Sequence, residues 1–70
     1  MDLKGNQITM GELLADPRAR SVLARRFPQL EGRPIVAASK GMTVERALKL
    51  GAAYVPKAYL AETLQELEQL

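Results

Sequence analysis

The sequence predicts an all-α fold, a compact bundle of four or five short helices in a single domain. Three observations lead there. Apolar residues make up 47% of the chain but aromatics only 4%. The core must therefore come from Leu, Val, Ile, Met and Ala, a palette that favours helices over strands. No run alternates apolar and polar residues as a half-buried strand would. Helix starts and stops also follow one another at short intervals, with Thr or Asp before the helical runs and Gly or Pro after them.

The first helix is announced by Thr9-Met10-Gly11-Glu12, which reads as a capping box. The Thr9 hydroxyl accepts from the Glu12 backbone N–H, and the Glu12 carboxylate reaches back to the Thr9 N–H. Leu13 and Leu14 are expected to face inward. Asp16-Pro17 starts a second helix, capped by Asp16, with Pro17 where a missing N–H costs nothing. It runs to about Phe27, with Ala19, Val22, Leu23 and Phe27 on one face and Arg18, Ser21, Ala24 and Arg25 opposite. Pro28 ends it, because the residue before a proline is pushed out of the helical region.

Pro34 opens a short third helix, Ile35 to Lys40, and Gly41 reads as its left-handed stop. Thr43 caps a fourth, with Glu45 in the first turn, Lys49 in the last and Gly51 closing it. Val44, Ala47 and Leu48 form its apolar side. Pro56 begins the last and longest helix, with Leu60, Leu64 and Leu67 at core spacing and Glu62, Glu66 and Glu68 toward water. The stripe Leu60/Leu64/Leu67/Leu70 reads first as core and second as a homotypic contact. Residues 1–7 are expected as a flexible N-terminal segment ahead of a helical domain at 8–70.

With 70 residues, one domain is the ceiling, and it buries only ~60% of the surface its unfolded chain exposes. There are no cysteines and no histidines. That composition excludes disulfides, thiolate zinc sites, a nucleophilic Cys and His-based acid–base pairs. It favours a cytoplasmic setting over a secreted one. No stretch approaches the ~18 apolar residues of a membrane span, and the N-terminal residues lack the apolar run of a signal peptide. No enzyme, no cofactor and no membrane partner is expected.

The residues Thr9-Met10-Gly11-Glu12-Leu13-Leu14, Asp16-Pro17, Val22-Leu23, Phe27-Pro28, Gly41-Met42-Thr43, Ala47 and the closing Leu60/Leu64/Leu67 helix form a pattern over roughly residues 8–68. It resembles a small bacterial helical module appended to some glycoside hydrolases and sugar-transport proteins. More loosely, it is similar to a stand-alone helical family of unknown function. The resemblance implies a non-catalytic accessory or protein-interaction domain, an appendage of a larger carbohydrate-active protein. It transfers no catalytic residue, and the cysteines of some stand-alone relatives are missing here.

The remaining chemistry is sparse. Ser39-Lys40-Gly41-Met42-Thr43 has the wrong order for a phosphate loop and no strand before it, so it reads as a helix stop followed by a cap. Glu62 and Glu66 share a helix face but have nothing to split their acidities. Residues 17–49 hold Arg18, Arg20, Arg25, Arg26, Arg33, Lys40, Arg46 and Lys49 against Glu31 and Glu45 alone. This basic band (18–49) supports the alternative of a small nucleic-acid-binding module. It brings no stacking aromatics or recognition motif, so protein or self-association is the favoured partner class. The candidate docking patch is Ile35 and Met42 with a rim of Arg33, Lys40 and Arg46, an apolar centre inside a charged border.

Overall fold

The computed structural model describes residues 1–30 and 32–70, with Ile35 described by its backbone alone. Among these the chain forms five α-helices: α1 (Met10–Ala15), α2 (Pro17–Arg26), α3 (Pro34–Ala38), α4 (Val44–Gly51) and α5 (Lys57–Glu68). A single 3-10 turn, Pro28–Leu30, follows α2. No strand is present among the described residues, only one isolated bridge. No described helix is long and apolar enough to cross a membrane.

The caps act as the local chemistry predicts. Thr9 Oγ1 accepts from Glu12 N at 3.1 Å, Asp16 Oδ1 from Arg18 N at 2.8 Å, and Thr43 Oγ1 from Arg46 N at 3.2 Å. Each hydroxyl or carboxylate satisfies one of the N–H groups that a helix start leaves unpaired. The reciprocal half of the first capping box is replaced: the Glu12 carboxylate lies 3.8 Å from Lys4 Nζ. Pro17 occupies the first turn of α2, which stops at Arg26 just before Phe27-Pro28.

The core is Leu3, Ile8, Leu13, Ala19, Val22, Val44 and Leu67. Helix α2 is the centre of the packing, lying against both α1 and α5. Leu13 and Leu67 are the largest fully buried side chains, while Leu14 is only half-buried. Thr63 is also buried and donates its hydroxyl to Tyr59 O at 2.8 Å, the usual way for a helical threonine to be satisfied without water.

Three expectations need correction. Residues 1–7 do not trail away from the domain: Leu3 is 4% exposed and sits in the core. The reason is local. Lys4, Gly5 and Asn6 all have positive φ (54°, 63° and 70°), which turns the chain back so that Leu3 and Ile8 point into the same interior. Gly and Asn tolerate that region best. The second correction concerns Gly41, whose φ is not positive, so α3 has no left-handed glycine stop there; the left-handed glycine of this region, Gly32 at +75°, lies ahead of α3. Helix α3 stops at Ala38, and Met42 N donates to Ser39 O at 2.9 Å in the turn that follows. Third, the stripe on α5 is divided. Leu67 is core and Leu64 packs at its edge, but Leu60 and Leu64 are only half-buried and both turn toward α4.

Candidate functional site

Among the described residues, side chains converge on a pair of surface hollows that both border α5. The first lies between α4 and α5 and holds about 300 Å³. Its position depends on two local features. The Thr43 cap fixes where α4 begins, and the turn Ala52-Ala53-Tyr54-Val55 returns the chain to Pro56, where α5 starts. Leu48 and Ala52 form one wall, Leu60, Ala61 and Leu64 the other, and Lys49 and Lys57 stand at the rim. Lys49 is engaged with Glu45 at 3.8 Å, one turn earlier on its own helix. Apart from these two ammonium groups the lining is apolar, so the groove removes hydrocarbon surface from water when occupied.

The second hollow, about 290 Å³, gathers all three aromatic side chains of the chain, Phe27, Tyr54 and Tyr59, beside Arg26. Phe27 and Tyr59 meet edge to face at 5.5 Å and 81°, and the Arg26 guanidinium lies 5.0 Å over the Tyr59 ring. The Tyr59 hydroxyl donates to Arg26 O at 2.6 Å. This cluster ties α2 to α5, with quadrupole and cation–π contacts added to burial. Tyr54 stands clear of these contacts, 90% exposed.

Part of the basic band is neutralised in three dimensions, while Arg20, Arg33, Lys40 and Arg46 stay exposed. Arg26 Nε is 2.8 Å from Glu66 Oε1, Arg25 pairs with the same carboxylate, and Arg26 also reaches Glu62 at 4.0 Å. Arg18 pairs with Asp16 at 3.2 Å. These carboxylates lie outside the band in sequence, so the charge run alone overstated the positive surface. Glu66 is thus a partner of α2, while Glu62 stays largely in water and only reaches Arg26. Asp16 is held below the ordinary carboxylate range by the Arg18 side chain first and the Arg18 backbone N–H second.

The predicted docking residues fall on different segments, before α3, in it, after it and in α4. Met42 is half-buried, outside the set of side chains packed on the core, and its carbonyl accepts from Met10 N at 2.7 Å. Lys40 is exposed, and its carbonyl accepts from Gly11 N at 2.9 Å. Arg46 is exposed in the first turn of α4; Arg33 is exposed ahead of α3, with Nε donating to Gln29 O at 3.2 Å. The side chain of Ile35 lies outside the described residues. No hydrogen bond or ion pair joins any two of the five among the described residues.

The groove between α4 and α5 was not singled out from the sequence. Its signal was present as the three-turn spacing of Lys57, Ala61, Leu64 and Glu68 on one face of a helix. No group of acidic, His or Cys residues among the described residues is arranged to hold a metal ion. In comparisons with protein-family models, curated proteins and solved structures, nothing matches this chain.

Proposed function

We propose that the chain is a non-catalytic accessory or protein-interaction domain that docks through the groove between α4 and α5. The observation that carries this reading is the groove's lining. Leu48, Ala52, Leu60, Ala61 and Leu64 leave a continuous apolar surface, rimmed by Lys49 and Lys57, on a domain too small to bury much more on its own. Such an apolar centre inside a charged border is the common layout of a protein interface. The resemblance to helical modules appended to glycoside hydrolases and sugar-transport proteins makes a larger carbohydrate-active protein the expected context. The absence of cysteine accords with a cytoplasmic setting. Ile35 and Met42 with the basic residues Arg33, Lys40 and Arg46, singled out from the sequence, are a second proposed surface for the same kind of contact.

The test is photo-crosslinking in the cells the protein comes from. A photo-reactive residue placed at Ala61 should give discrete protein adducts, and one placed at the exposed Arg20 should not. Absence of adducts from position 61, with the protein folded and abundant, sinks the reading.

A further inference from the structure

Helix α5 breaks a local electrostatic rule with its own side chains, and at its C-terminus the Met1 ammonium makes up for it by donating to Glu68 O at 2.8 Å and to Leu70 O. Its first residue is Lys57 and its last is Glu68, with no acidic residue in the first turn and no basic residue in the last. A helix favours the opposite arrangement, because its N-terminus carries partial positive charge and its C-terminus partial negative charge. Helix α4 obeys the rule, with Glu45 in its first turn and Lys49 in its last. The Lys57 and Glu68 side chains are both exposed, and neither the ammonium nor the carboxylate has an ion-pair partner among the described residues.

The two lie on one face. At 3.6 residues per turn, Lys57, Ala61, Leu64 and Glu68 recur within a narrow stripe. That stripe includes Lys57, Ala61 and Leu64 from the lining of the apolar groove. The core face (Thr63, Leu67) and the α2-facing edge (Tyr59, Glu62, Glu66) are already occupied. A charge that is costly in the isolated helix, at the border of an uncovered apolar stripe, is the kind of local conflict that a partner resolves.

We propose that this face is a two-fold interface between copies of the chain, with α5 packing antiparallel on α5 of a second copy. The register follows from the stripe. An antiparallel pair centred between Ala61 and Leu64 sets Ala61 against the second copy's Leu64, small against large. It also sets Lys57 against the second copy's Glu68. Both contacts occur twice by symmetry, as an isologous interface requires. The two ion pairs then flank the apolar centre about 16 Å apart, three helical turns at 1.5 Å per residue. Each helix end meets the opposite end of its neighbour, so the unfavourable placement of Lys57 at its own helix start is offset by the partner's Glu68 and C-terminal dipole. The Met1 ammonium already serves the C-terminal end within each chain. Leu48 and Ala52 of α4 border the same groove and complete the apolar centre. An interface built on one 12-residue helix is small, so association is expected in the micromolar range.

This proposal rests on the docking reading above and names its partner. Sedimentation equilibrium across a micromolar-to-millimolar series should show a reversible monomer–dimer equilibrium. Ala61→Glu should abolish it without changing the melting temperature. Lys57→Glu and Glu68→Lys should each weaken dimerisation about tenfold, because each turns two exposed attractions into repulsions. Both changes agree with the helix dipole, and melting temperatures of the two variants check that the Met1 ammonium on Glu68 O tolerates the new lysine. Mixing the two variants should restore association. In the mixed pair the carboxylate introduced at position 57 of one copy meets the ammonium introduced at position 68 of the other, and the unchanged Lys57 meets the unchanged Glu68. A monomeric wild-type chain, or a mixture that fails to recover, overturns the proposal. Crosslinks from position 61 to a different protein, with the chain itself monomeric, overturn it while leaving the docking reading intact.

Discussion

Thr9 and Thr43, each the cap of a helix, face one another across the only isolated bridge among the described residues. Met10 N donates to Met42 O at 2.7 Å and Val44 N to Ile8 O at 2.9 Å. The starts of α1 and α4 are thereby clamped side by side, and each threonine keeps its hydroxyl free for its own helix. Thr9→Ala and Thr43→Ala should each cost about 1 kcal/mol. In the double variant the costs should not simply add, because the two sites are neighbours. Urea denaturation of the three variants measures this; wild-type midpoints in both single variants would show that the hydroxyls contribute nothing.

Gly11 and Gly41 should respond oppositely to alanine. A Cβ at Gly11 would lie 3.0 Å from Lys40 O and 3.3 Å from Lys40 Cβ. The clash falls on the same carbonyl that accepts the Gly11 N–H. The gain in helix propensity is about 1 kcal/mol, and overpacking against backbone costs about 1–3 kcal/mol, so Gly11→Ala should destabilise. At Gly41 nothing lies within 4 Å and φ is not positive, so Gly41→Ala should be neutral or slightly stabilising. Thermal melts of the pair check the sign of each.

Removing the Tyr59 hydroxyl leaves Arg26 O, at the end of α2, without its 2.6 Å donor. Tyr59→Phe should cost about 1 kcal/mol while keeping the edge-to-face contact with Phe27. Tyr59→Leu should cost more, because it also removes the ring beneath Arg26. Chemical denaturation ranks the two, and equal losses would mean that the ring contacts carry no energy.

The Asp16 carboxyl is depressed in the folded chain by its Arg18 bonds. A depressed carboxyl adds stability above its unfolded value, ~3.9, and loses it as pH falls through the lower folded value. Asp16→Asn keeps a competent cap but cannot titrate. Its stability should therefore fall less steeply than wild type on acidification below about pH 4. Parallel acid-denaturation curves from the two proteins would contradict this.

Nucleic acid should bind only as a weak, salt-sensitive background, since Arg18, Arg25 and Arg26 are committed to carboxylates. Fluorescence anisotropy with duplex and single-stranded probes at near-physiological salt measures it. Sub-micromolar affinity that disappears on replacing those three arginines would restore the nucleic-acid alternative.

Helix class and starts were legible from Thr9, Asp16-Pro17, Thr43 and Pro56 because capping and proline geometry act over three or four residues. Ala19, Val22, Val44 and Leu67 were legible as core or apolar-face positions from helical periodicity. What lies between distant residues was not. Leu3 enters the core only because residues 4–6 turn left-handed, a conformation held in place by the burial it allows. Glu66 meets Arg25 and Arg26, and Phe27 meets Tyr59, across long stretches of chain through the packing of α5 on α2. The α4/α5 groove likewise needs two helices set at a particular spacing, which no periodicity within either helix encodes. Caps and turns are decided by a few neighbouring dihedrals. Ion pairs, aromatic contacts and grooves are decided by which faces the whole chain can bury at once.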